Sequence, residues 1–294
     1  MTSTMPEGAV IVNSFWRGGD EGAGKIADAI SALGAKVSIL KSDEIFLRVG
    51  EGIRGDIPFE FAVFLDKDDH LARLLEGRGV RLFNRAESIR LADDKMLTHI
   101  ALAPFLKQPE TLSSPLLFAG EDDPAFLKRV EETLGYPVVV KKCFGAFGKQ
   151  VFLAKNGEEL AALRAKLIRE PHLYQKFVSC GGSDIRVITI GGKAVAAMKR
   201  TATVPGEFRA NAELGGKGEP LEITAEIREI AECASRVLGL EYAGVDLLWD
   251  GKEYLLTEVN SNAHFRLIEE TTGVPIASLY AKYILSEIEK GGRL

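Results

Sequence analysis

Cysteine is scarce in this 294-residue chain: Cys143, Cys180 and Cys233 are far apart and odd in number, and no CxxC pair occurs. A disulfide framework and a cysteine-based zinc cluster are therefore not indicated, and the usage points to a reducing, cytoplasmic setting. An excess of positive charge is lacking too. Lysine and arginine number 37 against 42 acidic residues, a net charge of −5, with no basic tail or run, so nucleic acid is not an expected partner. The longest apolar runs are strand-sized, well short of the roughly 20 residues that cross a bilayer, so no membrane association is expected. The opening stretch "MTSTMPEGAVIVNSF" lacks the basic start and long apolar segment of a secretion signal. Internal repeats and low-complexity segments are missing. So are a P-loop (GxxxxGK[ST]) and a Rossmann glycine pattern at a strand-to-helix turn. No Ser–His or Cys–His pair is offered for nucleophilic catalysis.

What remains is an ordinary globular composition, 46% hydrophobic and 27% charged, long enough for two or three lobes. Strand-like "GAVIVNSF", "KVSIL", "FAVFLD" and "VRLFN" alternate with helical "GAGKIADAISALGA" and "HLARLLEGRG". That alternation predicts a small parallel α/β domain over residues 1–85. Residues 86–103 read as one bridging helix. Beyond them the pattern becomes α+β with antiparallel hairpins, divided here at 86–178 and 179–294. "ITIGGKAV" and "LLWDGKEYLL" are the clearest hairpins. With Asp250-Gly251 as a two-residue loop, Asp246 falls opposite Tyr254–Leu255, and Glu258 lies a few residues past it.

The chemistry-bearing residues cluster in the second half. "VVVKKCFGAFGKQVFLA" places Gly145 and Gly148 between two strands, with Lys141 ending the first. Glycine backbone can approach phosphate oxygens and a lysine can neutralise them; the same stretch also reads as an ordinary mobile hairpin. Glu258 and Asn260 share a strand face by the period of two. A bulge or a metal would bring Asp246 to them, and two carboxylates with an amide oxygen suit Mg2+. The alternative is a solvated strand end, against which stand the flanking Val and Leu residues. Arg200, Arg209 and Arg266 read singly as surface residues, whereas Arg186 sits among apolar residues in a strand. Lys95 reads as a solvated helix residue. His99 and His264 read as packing or hydrogen-bonding groups, Met96 and Met198 as core, and Cys143 as a small buried hydrophobe.

The order of these pieces resembles the ATP-grasp superfamily, and within it the ribosomal-protein-S6 glutamate-ligase-like (RimK-type) branch of carboxylate–amine ligases. The pieces are the α/β domain, the glycine hairpin, "LYQKFV", "SDIRVITIGGKAVAAMKR", "FRAN", "AGVDLLW" and "EVNSN". The resemblance covers roughly Phe83 to Leu285. It implies an α/β N-terminal domain plus an α+β ATP-grasp fold, two lobes with antiparallel sheets and ATP between them. It implies that Lys95 and Lys141 hold phosphates under a loop from Gly145 to Gly148, and that Gln175, Lys176, Phe177 and Val178 frame adenine. It further implies that Asp184 and Arg186 form a D-x-R motif near the phosphates, and that Arg200, Arg209 and Asn211 line the acyl-phosphate and substrate site. Asp246, Glu258 and Asn260 become the ligands of Mg2+ or Mn2+, two ions per site. The implied activity is ADP-forming ligation of a glutamate-like amino acid to a carboxylate on a small molecule or peptide, by a homo-oligomer. A D-alanine–D-alanine-like ligase and a nucleotide-binding regulatory module without ligase activity are the alternatives. The chain departs from the branch in three places: Lys176 stands where an acidic hinge residue is usual, "SNAHF" follows Asn260 where many members continue with Pro-Gly, and the glycine loop is more basic.

Overall fold

The computed structural model describes residues 5–16, 21–118, 122–145, 148–204, 209 and 217–291. The N-terminal third alternates strand and helix: β1 (Glu7–Val12), α1 (Glu21–Ala32), β2 (Lys36–Lys41), a 3-10 turn (Ser42–Glu44), a small hairpin β3 (Arg48–Gly50) and β4 (Gly52–Arg54), β5 (Phe61–Leu65), α2 (Asp69–Gly77) and β6 (Arg81–Phe83). The main sheet runs β2-β1-β5-β6, all parallel, as the alternation predicts. Its inner strands β1 and β5 are apolar on both faces because both are covered. Ile11, Ala62 and Phe64 pack under α2, while Val10, Phe61 and Val63 face α1.

Two helices follow, α3 (Ala86–Asp93) and α4 (Lys95–Leu102), where the sequence reading expected one. The break falls at Asp94, whose extended backbone (ψ 104°) stops α3 and whose carboxylate accepts from the amides of Met96 and Leu97. A capping aspartate out-competes helix continuation here. Lys95 thereby becomes the first residue of α4, with its own amide on the Cys143 carbonyl at 3.0 Å.

Next come β7 (Thr111–Ser113), α5 (Pro124–Leu134), β8 (Val138–Lys142), β9 (Val151–Ala154), α6 (Gly157–Leu167) and β10 (His172–Lys176). They form a sheet of order β7-β10-β8-β9. Val138, Val140 and Tyr174 face α5 and α6 in a local core. By the period of two, Val139, Lys141 and Gln175 face the other way.

The remaining elements are β11 (Ser183–Ile190), β12 (Lys193–Thr201), β13 (Lys217–Pro220), α7 (Ala225–Leu238), β14 (Tyr242–Trp249), β15 (Tyr254–Asn260), α8 (Arg266–Thr272) and α9 (Ile276–Gly291). The sheet order is β13-β12-β11-β14-β15 and every described pairing is antiparallel. Ile185, Val187, Val245 and Leu247 bury against α7. The opposite face joins Ile188, Ala196 and Met198 to α1 and α9, so the N-terminal sheet and this one share a core. Among the described residues no helix is long and apolar enough to cross a membrane.

The β14–β15 turn differs from the two-residue loop expected. Asp250 caps it, accepting from the amides of Lys252 and Glu253 at 2.8 Å each, and the strands resume at Trp249 opposite Tyr254. The register then shifts between Asp246 and Leu247, so that Leu247 faces Leu256 while Asp246 faces Glu258. One extra residue, Thr257, is accommodated as a bulge. Glu258 is thus directly opposite Asp246, where a regular ladder would have put Thr257.

Candidate active site

Consecutive cross-strand positions in the C-terminal sheet build a ladder of charges. Arg200 faces Asp184 across β12–β11, Arg186 faces Asp246 across β11–β14, and Asp246 faces Glu258 across β14–β15. All five project from one face, since each rung pairs side chains on the same side and Asp184 and Arg186 are two apart. Arg200 grips Asp184 through two bonds of 2.6 Å and reaches Asp246 Oδ2 at 3.0 Å. Arg186 grips Asp246 with Nε on Oδ1 and Nη2 on Oδ2, the latter at 2.7 Å. Such forked guanidinium–carboxylate pairs are short and strong. They also resolve the cost of burial, because Arg186, Arg200 and Asp246 are each less than a tenth exposed.

The ladder sets the ionisation of its members. Burial works against the Asp246 carboxylate, but Arg186 and Arg200 together hold it below the usual range. Asp184 goes the other way: burial, with repulsion from Asp246, raises it despite Arg200. For Glu258 burial is outweighed by Lys95, helped by Lys141 and Arg186, and the net shift is downward. Arg200 is raised, because Asp246 and Asp184 outweigh its desolvation.

Facing this ladder is the polar side of the β7–β10 sheet. Lys141 projects from β8, and burial, with the neighbouring Lys95 ammonium, brings it down to about 8. Lys95, read from sequence as solvated, is 7% exposed. Its Nζ donates to the Gly145 carbonyl at 3.1 Å and lies 3.4 Å from Glu258. Gly145 and Gly148 both have positive φ, 150° and 68°, and a Cβ at Gly145 would fall 2.6 Å from Gln150 Oε1. Arg209 Nη1 donates to the Gly148 carbonyl at 2.7 Å. The glycine hairpin is therefore held at both ends by cationic side chains; Ala146 and Phe147 between them lie outside the described residues.

The two faces flank an open cleft. Of the residues singled out from sequence, Lys95, Lys141, Gly145, Gly148, Gln175, Lys176, Phe177, Val178, Asp184, Arg209 and Glu258 line it. Arg186, Arg200 and Asp246 lie behind that wall, spent on one another. Asn260 pairs with Gly244 one same-face step beyond Glu258, half-buried. Asn211 lies outside the described residues. Sequence reading missed Gln150, Cys180, Ser183, Leu248 and Thr257, which also line the cleft. Leu248 was reachable, being two residues past Asp246. Thr257 was not, because alternation from Glu258 and Asn260 assigns it to the opposite face, and the bulge is what lets neighbouring Thr257 and Glu258 both reach the cleft. Cys143 is buried with its thiol pushed up to about 11 by burial, as expected of an inert residue.

Comparison with known proteins places this geometry. Residues 92–284 match the RimK-like ATP-grasp domain. The chain belongs to that family. N-acetylaspartylglutamate synthase A of Homo sapiens is 36% identical over 228 residues, which cover 75% of this chain and 56% of that protein. Beta-citrylglutamate synthase B of Danio rerio is 33% identical over 265 residues, 85% of this chain and 63% of that one. The chain thus spans little more than half the length of these relatives. A RimK-domain ATP-grasp protein from Sphaerobacter thermophilus superimposes with a TM-score of 0.73 at 20% identity, covering 95% of this chain and 99% of that one. That match shows the ATP-grasp fold.

The family works with ATP and Mg2+. The donors here fit a hard divalent cation in kind: Asp246 and Glu258 face each other on one rung and Asn260 follows on the same face, all oxygen donors. They are not assembled into a cage. Among the described residues no three acidic, histidine or cysteine side chains converge on one point, and both Asp246 oxygens are engaged by arginine.

Proposed function

We propose that the cleft binds ATP and that the chain is an ADP-forming carboxylate–amine ligase acting through an acyl phosphate. The supporting observation is the meeting of Lys95 and Lys141 from one wall with the Asp184–Arg200–Asp246–Arg186–Glu258 ladder behind the other. The two ammonium groups of such an array offset part of a triphosphate's charge, and the array supplies no nucleophile of its own.

In this reading a substrate carboxylate oxygen attacks the γ-phosphorus. The bond from that phosphorus to the β–γ bridging oxygen breaks, and ADP departs. An amine then attacks the acyl carbon, its C–O bond to phosphate breaks, phosphate leaves and the nitrogen gives up a proton to form the amide. Phosphoryl transfer of this kind needs positioning and charge neutralisation more than covalent help. Lys141 and Lys95 hold the phosphate oxygens, Lys95 leaving the Gly145 carbonyl to do so. The glycine hairpin covers the phosphates and excludes water from the acyl phosphate. Asp246, Glu258 and Asn260 would hold Mg2+, which would supply further neutralisation of the phosphate charge. Phe177 and Val178 flank the base.

The two curated relatives are both named for a glutamate-containing product. They favour glutamate or a similar amino acid as the amine, with the acid partner a small molecule or peptide. A mass-spectrometric search tests this: the protein with ATP, Mg2+, pooled amino acids and a cell extract should yield ADP and a new amide containing glutamate. ATP left intact across the whole panel would reject the ligase reading.

A further inference from the structure

The "SNAHF" stretch and Arg266 take no part in the nucleotide cleft, although the sequence singles both out. With the N-terminal domain they line a second cavity. The parallel N-terminal sheet reverses its strand order between β1 and β5. In such sheets ligands bind in the crevice at the carboxyl ends of the two diverging strands. Lys25 and Ile26 belong to the helix after β1 and Leu65 ends β5, so the cavity opens at that crevice. These elements precede residues 92–284, the span of the family domain. Asn262 reaches the crevice from the C-terminal side, its Nδ2 donating to the Leu65 carbonyl at 2.8 Å.

The lining is cationic. Lys25, His264 and Arg266 are exposed around the cavity, Ile26, Tyr242 and Ala263 are buried against it, and no aspartate or glutamate lines it among the described residues. Lys25 is engaged by Glu269 of α8 at 3.1 Å. The Arg266 side chain makes no ion pair or hydrogen bond among the described residues. It is also the first residue of α8, the end at which a helix disfavours a cation. An unpaired guanidinium placed there, beside apolar side chains, suits the carboxylate of an aliphatic ligand.

The cavity and the cleft share one sheet face. Tyr242, Gly244, Asp246 and Leu248 alternate onto it along β14; Leu248 lines the cleft and Tyr242 lines the cavity. The Arg186–Asp246 pair stands between them. A Cβ at Gly244 would fall 3.1 Å from Arg186 Cδ and 2.4 Å from the Ala263 Cβ, so Arg186 and Ala263 close over Gly244 as the divide between the two spaces. An acid whose reacting carboxylate lies on the cleft side of that divide places its far end on the cavity side.

We infer that the acid substrate is a di- or tricarboxylate whose non-reacting carboxylate is bound by Arg266, with Lys25 and His264 beside it. The inference rests on the ligase reading of the cleft and names its acid. A monocarboxylic acid would leave the Arg266 guanidinium without its partner.

The amide search tests the two readings separately. The acid half of the new amide should carry at least one carboxylate besides the one consumed. An amide made from a monocarboxylic acid would overturn this inference and leave the ligase standing, whereas ATP left intact rejects the ligase. Calorimetry on the full chain with Mg2+ and the imido analogue of ATP reads the cavity without turnover. Glutarate or tricarballylate should bind about tenfold or more tighter than butyrate, the usual worth of a hydrogen bond to a charged group. Arg266→Gln should remove that preference and Arg266→Lys should restore part of it, with binding of the ATP analogue showing that each variant is folded. Equal affinity for the three acids in the wild type, which needs no variant to fold, would overturn the role of Arg266. So would a preference unchanged in Arg266→Gln, or glutamate binding in place of both polycarboxylates, which would give the cavity to the amine.

Discussion

Lys141 shows how a single residue couples burial to chemistry. Its ammonium is held at about 8 by desolvation, against an ordinary value of 10.5. A folded-state value below the unfolded one means that the native protein binds fewer protons between pH 8 and 10.5. The burial cost is therefore full below about pH 8 and is relieved as pH rises through that window. A phosphate beside the same nitrogen favours the charged form. Nucleotide binding near pH 8.5 should then take up a proton, seen as a binding enthalpy that varies with the ionisation enthalpy of the buffer. Lys141→Met should abolish that variation and weaken binding. A buffer-independent enthalpy in the wild type would remove Lys141 from the phosphate site. Lys141 could be singled out as a candidate by a sequence reader because a strand-ending lysine before paired glycines is a visible pattern. The burial of Lys95 was not. It depends on where α4 begins, and its neighbours Gly145 and Glu258 are 50 and 163 positions away in the chain.

At the scale of elements, two local irregularities aim the side chains. The first is the helix break at Asp94. Asp94→Ala should cost about 1 kcal/mol of stability, the usual value of a lost cap, measurable by denaturant unfolding. It should also weaken ATP binding, because α3 and α4 would no longer meet at the angle that directs Lys95 into the cleft. Destabilisation with unchanged affinity would make the break merely structural. The second is the bulge at Thr257. Strand identity, hairpin order and the shared face of Glu258 and Asn260 could all be read from alternation. The partner of Asp246 could not. A bulge is a one-residue decision made by packing on both sheet faces, and "YLLTEVN" carries no glycine or other local sign of it. The β3–β4 hairpin and β13 likewise escaped reading: "RVGEGIR" and "KGEP" are short and largely exposed, with no apolar pattern to read.

The whole molecule depends on seams between sheets. Asn84, at the end of the N-terminal sheet and 1% exposed, donates to the carbonyls of Tyr242 and Ser261 at 2.8 and 3.0 Å. Its oxygen accepts from the amides of Glu241 and Tyr242 at 2.7 and 3.0 Å. Arg81 pairs with Glu241 beside it, and Tyr283 donates to the same carboxylate at 2.9 Å. One amide side chain thus fixes the start of β14 and the end of β15, the strands that carry Asp246, Glu258 and Asn260. Asn84→Ala strands several buried backbone groups and should cost on the order of 3 kcal/mol. A loss below about 0.5 kcal/mol in denaturant unfolding, the level of an ordinary surface change, would mean the seam is held elsewhere. The parallel N-terminal sheet and the antiparallel C-terminal one were each legible from strand alternation. Their joint core was not, because it forms between residues as distant as Ile26 and Tyr280.

The claim that unites these scales is that the cleft passes the γ-phosphoryl group of ATP to a carboxylate. Oxygen-18 tests it directly. With the acid substrate found by the amide search labelled in both carboxylate oxygens, each turnover should place one heavy oxygen in the inorganic phosphate released, as read by mass spectrometry. Unlabelled phosphate, with the heavy oxygen lost on amide formation appearing in AMP or water instead, would contradict the account.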